Sequence, residues 1–169
     1  QYTDQLVFAN GYAGDDDHPT DINAALLHEA VEIAKQGDVV LLFIGLPEIM
    51  EAEGMDREHM RLPAQHAALL SEILKVNPNV IVILTNGGTV QLPELCCSQA
   101  KAILEGYLLG QSGGGAICEI LFGDKSPCGK LAETMPLMQE DLPSDKYFPG
   151  DRDSVVSVSY THLRAHETL

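Results

Sequence analysis

Val39-Val-Leu-Leu-Phe-Ile44 is a run of six apolar residues with no polar alternation. A strand that must bury both of its faces reads this way, because in a parallel sheet helices cover both sides. Val80-Ile-Val-Ile-Leu84 repeats the pattern, and Ala102-Ile-Leu104 is a shorter version. Between the first two runs lies a helical stretch. Pro63 opens it in the first turn, where a missing N–H costs nothing, and Asn77-Pro78 closes it. Leu69, Leu70, Ile73 and Leu74 form its apolar stripe. Upstream, Asp21 is placed to cap a helix reaching about Gln36. Its apolar face is Ile22, Leu26, Ala30, Ile33 and Ala34, and Gly37 suits the position just past its end. Gly113 to Leu121 reads as a further short helix. Val7-Phe-Ala9 reads as a leading strand, and Gly129-Lys-Leu131 opens a closing one. This β-α-β-α-β-α-β order predicts an α/β fold with a doubly wound, mostly parallel sheet sandwiched by helices.

The segment that leaves the first run is Gly45-Leu-Pro-Glu-Ile-Met-Glu-Ala-Glu-Gly-Met-Asp-Arg-Glu-His-Met-Arg-Leu-Pro63. It exits the C-terminal end of a strand, where open α/β sheets place their ligand crevice. Glu48, Glu51, Glu53, Asp56 and Glu58 crowd it against only Arg57 and Arg61. Crowded carboxylates repel, and a partly desolvated one holds its proton more tightly. From the residues alone two readings stand: an acid/base loop, or a solvated acidic surface loop.

Composition narrows the classes. With 169 residues the chain has the length of one domain and can bury a sizeable core. A net charge of −15 opposes binding to nucleic acid or to an anionic membrane, and no 18-residue apolar span occurs. Cys96, Cys97, Cys118 and Cys128 lack metal-site spacing and read as free thiols of a reducing, bacterial cytoplasm, with secretion left open. No cofactor is implied. Gly14-Asp-Asp-Asp-His-Pro-Thr20 holds half the ligands of a calcium loop and reads as a solvated turn. Gly110-Gln-Ser-Gly-Gly-Gly115 lacks both the Lys-Ser/Thr of a phosphate loop and the dinucleotide spacing, so close helix-to-strand packing accounts for its glycines.

Four blocks in order carry a family resemblance. They are Glu51-Ala-Glu-Gly-Met-Asp-Arg57 with Leu62-Pro63 and Gln65; Val82-Ile-Leu-Thr-Asn-Gly-Gly-Thr-Val90; Ala102-Ile-Leu-Glu-Gly-Tyr-Leu-Leu-Gly-Gln-Ser-Gly-Gly-Gly-Ala116; and Leu121-Phe-Gly-Asp-Lys-Ser-Pro-Cys-Gly-Lys-Leu-Ala-Glu-Thr-Met-Pro136. Together with Asp141-Leu-Pro-Ser144 and Tyr147-Phe-Pro-Gly-Asp151, they resemble the C-terminal domain of family 3 glycoside hydrolases, the β-glucosidase and β-xylosidase group. Glu94-Leu-Cys-Cys97 departs from the tryptophan-containing stretch common there.

The resemblance implies an α/β sandwich, of flavodoxin- or Rossmann-like build, that works beside an N-terminal barrel on the same polypeptide. The barrel would hold the aspartate nucleophile, and this domain would deliver the general acid/base to a β-linked glucoside or oligosaccharide across a shared cleft. Glu53, just before the Gly of the Gly-x-Asp-Arg turn, matches the acid/base position, with Glu51 as its rival. Asp56 and Arg57 match loop-shaping positions and are expected to pair with each other; Glu48 and Glu58 are expected to be solvated. β-Glucosidase is the leading activity, β-xylosidase or a related exo-glycosidase the alternative, and a non-catalytic flavodoxin-like binding domain the rival of another class.

The domain is expected to span residues 1–155, truncated at both ends, and to be inactive alone. Residues 156–169 include Val158-Ser-Tyr-Thr-His-Leu-Arg-Ala-His-Glu-Thr168, which has no apolar periodicity and is similar to a translated sequencing-library adapter. It is expected to be an unstructured, non-native tail.

Overall fold

The computed structural model describes residues 5–14 and 21–145. Helix α1 (Ala24–Ala34) is followed by strand β1 (Val40–Gly45), helix α2 (Ala64–Val76), strand β2 (Val80–Thr85), helix α3 (Glu94–Gln99), strand β3 (Ala102–Glu105) and helix α4 (Gly113–Leu121). Two single 3₁₀ turns, Glu48–Met50 and Gln139–Asp141, sit in the connections.

The three strands pair in parallel in the order β1-β2-β3, with Val40 opposite Val80 and Ile81 opposite Ala102. The α/β class and the parallel pairing are as the sequence implied. Both crossovers step the same way across the sheet, and crossovers of one hand must then lie on one face. α2 packs on α3 accordingly, and also on α1 and β1. Leu42, Ile44, Val82 and Leu84 point into this layer and meet Leu69, Leu70, Ile73 and Leu74 of α2, so the apolar stripe read from the sequence is the buried one. Ile83, of opposite parity on β2, is also fully buried, whereas its β1 partner Phe43 is 45% exposed. The central strand thus buries both faces and β1 only one.

Three local expectations are corrected. Val7-Phe-Ala9 forms no strand: Val7 and Phe8 stand 70% and 78% exposed, and Ala9 alone leans on the core. Gly129-Lys-Leu131 forms none either, and Leu131 is 53% exposed. The described sheet therefore has three strands, because an apolar triplet without a neighbouring edge has nothing to bond its backbone to. Helix α1 starts later than expected, with Asn23 rather than Asp21 as its cap. The Asn23 Oδ1 accepts the amides of Ala25 and Leu26 at 3.1 and 3.2 Å. Helix α3 is an addition to the expected elements, and it begins directly after Pro93.

Asn77 closes α2 and locks it to α1. Its Nδ2 donates to the carbonyls of Ala34 and Gly37 at 2.8 and 2.7 Å, while its Oδ1 accepts the Asn79 amide at 2.8 Å. The domain boundary at residue 155 and the tail after it lie outside the described residues, as does the acidic triplet of the 14–20 loop. Among the described residues no helix is long and apolar enough to cross a membrane.

Candidate functional site

The carboxylate loop leaves β1 at Gly45, beside the C-terminal end of β2. Gly45 admits no side chain, since a Cβ there would stand 1.8 Å from the Thr85 carbonyl oxygen. The buried His66 of α2 holds the same residue, with Nδ1 2.9 Å from the Gly45 carbonyl oxygen. Burial lowers the His66 pKa to about 4, against the upward pull of that bond, so the ring is neutral near neutral pH. Tyr12 packs against it with the two rings tilted by 49° and their centroids 4.0 Å apart, and donates its hydroxyl to the Phe43 carbonyl at 3.2 Å. Both residues line a hollow of about 140 Å³ at the base of the loop, with uncharged groups that include Gln65 and Thr85.

Past Gly45 the loop turns through Glu48–Met50 and settles on the Asn86-Gly87-Gly88 bend at the end of β2. Both carboxylate oxygens of Glu51 accept the Gly87 amide at 2.8 Å. The Arg57 guanidinium reaches the neighbouring residue, its Nη2 3.2 Å from where a Gly88 Cβ would stand. Between Glu51 and Arg57 the chain bulges outward, turning at Gly54 with φ +81°. Glu53 rides on this bulge, exposed and with no hydrogen bond or ion pair to the described residues. The end of the loop is stitched down by the Gln91 amide, which donates to the Met60 carbonyl at 2.7 Å, and by a bridge between Arg61 and Gln91.

Glu51 and Glu53, read as rivals from the sequence, thus occupy different situations: one is bonded to the β2 bend, the other bonds to none of the described residues. Glu48 and Glu58 are exposed. The expected Asp56–Arg57 pair does not form. No ion pair joins them among the described residues, because adjacent side chains diverge and Arg57 turns to the Gly87-Gly88 bend while Asp56 stays exposed. Arg57 lies against Gly88 instead, half-buried, with its Nη1 unpaired among the described residues.

A residue that the sequence reading passed over stands next to this group. Glu105, at the end of β3, accepts the Tyr107 amide at 2.8 Å and faces the Asn86 Nδ2 at 3.4 Å. Asn86 is fully buried and also donates to the Gly88 carbonyl at 2.9 Å. Burial raises the Glu105 pKa; the Tyr107 and Asn86 hydrogen bonds oppose the rise and the charge of Glu51 adds to it. Its signal in the sequence is an acidic residue ending a short apolar run, just before Gly106. Tyr107 beyond it takes a left-handed φ of 52°, rare for a side chain of this size. Among the described residues no three His, Cys, Asp or Glu side chains gather as metal ligands would.

A family model described as the glycosyl hydrolase family 3 C-terminal domain matches residues 7–163. The chain belongs to that family. An exo-α-(1→6)-L-arabinopyranosidase from Bifidobacterium longum is 48% identical over 131 residues, which are 78% of this chain and 17% of that protein. Thermostable β-glucosidase B from Acetivibrio thermocellus is 41% identical over 150 residues, 89% of this chain and 19% of that protein. The crystal structure of a family 3 β-glucosidase from Bifidobacterium adolescentis superposes with a TM-score of 0.78 at 44% identity, covering 85% of this chain and 21% of that one. The chain therefore spans about a fifth of the length of these glycosidases, and it is their C-terminal α/β domain that it matches. Family membership sets aside the flavodoxin-like binding module, which the sheet alone could not do.

Proposed function

We propose that this domain supplies the general acid/base of a retaining β-glycosidase, with Glu53 as the proton carrier and a barrel domain of the same polypeptide as the carrier of the nucleophile. The substrate is a terminal β-linked glucoside or oligosaccharide. Retention requires one carboxyl group to attack the anomeric carbon, and a second to protonate the leaving oxygen and later take a proton from water. A proton donor that must reach a sugar held on another domain has to project from its own, and it must not be spent on its own scaffold. Glu53 meets both conditions: it sits on the outward bulge and bonds to none of the described residues, whereas Glu51 is occupied by Gly87. That contrast is the observation that carries the choice of Glu53 over Glu51.

The relatives support β-glucosidase as the leading activity. The arabinopyranosidase relative favours a second reading within the same chemistry, an exo-glycosidase for a pentopyranose such as a β-xyloside.

The test is Glu53→Ala in the full-length enzyme. A general acid contributes about 10²–10⁴-fold for a poor leaving group. An aryl glycoside with a nitrophenolate leaving group needs little protonation, so there the loss should fall on hydrolysis of the glycosyl-enzyme and be restored by azide, a nucleophile that needs no base. A Glu53→Ala enzyme with near-wild-type turnover on both substrates would overturn the assignment. The 169-residue chain alone should release no nitrophenol above the buffer blank, and turnover by it would overturn the two-domain reading.

A further inference from the structure

We propose that Glu51 is a positioning residue, whose carboxylate latches the foot of the Glu53-bearing loop to the Gly87 amide at the end of β2. The inference rests on the reading of Glu53 as proton carrier and adds what holds that carrier in place. Three observations carry it. Both Glu51 oxygens lie 2.8 Å from the one Gly87 nitrogen, so a charge-assisted hydrogen bond joins the loop to a residue 36 positions away. The bend it lands on is tied across itself, because Asn86 is fully buried and its Nδ2 bonds to the Gly88 carbonyl at 2.9 Å. The landing place is also shaped for the carboxylate. A Cβ on Gly87 would stand 3.1 to 3.4 Å from the three carboxylate atoms, and one on Gly88 would stand 3.2 Å from Arg57 Nη2.

Glu53 lies only two residues past the Glu51 latch, on the exposed span from Glu53 to Asp56 that turns at Gly54. A proton donor on so short a span is confined to a small volume, and misplacing a reacting group by about 1 Å can cost about 10²-fold in rate. Glu51 thus acts on the chemistry through the position of Glu53 and touches no substrate itself.

The experiment has two arms. In the 169-residue chain, amide exchange at Gly87 is followed by NMR in wild type, Glu51→Ala and Glu51→Gln. Exchange should quicken at least about tenfold in the alanine variant and stay close to wild type in the glutamine variant, whose amide oxygen still accepts the bond. Unchanged exchange in Glu51→Ala would overturn the latch.

In the full-length enzyme, Glu51→Ala should lower kcat about 10- to 100-fold with KM nearly unchanged, azide should not restore it, and Glu51→Gln should recover most of the loss. Restoration of Glu51→Ala by azide would make Glu51 the proton carrier and end the positioning role. Gly87→Ala attacks the latch from the other side without left-handed strain. It should reproduce the fall in kcat, and the double variant should be no worse than Glu51→Ala alone. Additive losses would overturn the proposal. Should Glu53→Ala fail to show azide rescue while Gly87 exchange still follows Glu51, the latch stands and the reading of Glu53 falls.

Discussion

The imidazole Nδ1 of His66 lies 2.9 Å from the carbonyl oxygen of Gly45, which couples the first turn of α2 to the point where β1 becomes the carboxylate loop. The bond is made by a neutral ring inside the protein, and that fixes how stability must respond to acid.

Burial holds the His66 pKa at about 4, below the ordinary 6.5. Between those values the unfolded chain binds a proton that the folded chain refuses. The stabilisation is therefore complete above about pH 6.5 and is lost as pH falls toward 4. The whole effect is on the order of 3 kcal/mol, since each tenfold loss of proton affinity corresponds to about 1.4 kcal/mol. We expect the urea midpoint of the chain to fall across this window, and His66→Gln to flatten that part of the profile. A wild-type profile already flat between pH 6.5 and 4 would contradict the account.

Gly45 is the one residue of β1 that cannot carry a side chain. The Thr85 carbonyl oxygen would sit 1.8 Å from its Cβ and the Thr85 carbonyl carbon 2.6 Å, and both atoms are backbone that cannot swing away. Gly45→Ala must separate the ends of β1 and β2, at a cost of about 3 kcal/mol or more. Chemical denaturation should show it to be the most damaging single methyl in the strand pair. Gly110→Ala, whose Cβ would meet none of the described residues within 4 Å, serves as a control.

Asn77 makes three hydrogen bonds from a nearly fully buried side chain, one to the last residue of α1 and one to Gly37 just beyond it. Asn77→Ala leaves the Ala34 carbonyl buried and unpaired at the seam between two helices. We expect a loss of about 2–3 kcal/mol, because an orphaned buried acceptor costs its full desolvation. Asn77→Asp should be as damaging, since it replaces the two donated bonds with repulsion between oxygens. A thermal midpoint for Asn77→Asp equal to wild type would count against this geometry.

What could be read from the sequence divides along a physical line. The run Val80 to Leu84 and the stripe Leu69, Leu70, Ile73 and Leu74 are legible because burial writes itself into periodicity. Val7-Phe-Ala9 and Gly129-Lys-Leu131 mislead because three apolar residues satisfy a strand propensity without specifying a partner edge, and pairing is a property of two segments. The acid loop is legible as a loop rich in carboxylates. Which carboxylate is held and which projects is not, since the donor to Glu51 is an amide 36 residues away on a bend whose shape the local sequence does not encode. Asp56 and Arg57 fail as a pair for a related reason, because neighbours in sequence point apart and the nearer surface for Arg57 is the Gly88 backbone.

Glu105 gives the last test, and its sign is opposite to that of His66. Burial, first, and the charge of Glu51 hold its proton on above the ordinary carboxylate range, while the Tyr107 amide and the Asn86 side chain pull the other way without cancelling the effect. A carboxyl whose folded pKa is raised is comfortable when protonated. It therefore costs stability as pH rises past its unfolded value of 4.5, and the cost is complete once pH exceeds the folded pKa. Glu105→Gln keeps an acceptor for the Tyr107 amide and removes the charge. We expect it to raise the thermal midpoint at pH 7.5 and to leave it nearly unchanged at pH 4, where wild type already carries the proton. Glu105→Ala separates charge from hydrogen bonding, since it gives the same electrostatic relief but frees the Tyr107 amide, which sits in a left-handed conformation that needs its bond. The alanine variant should thus fall below the glutamine variant at both pH values. A glutamine variant that is less stable than wild type at pH 7.5 would mean that the Glu105 carboxylate is held in its charged form by the Tyr107 amide and Asn86, and that the hydrogen bonds outweigh the burial.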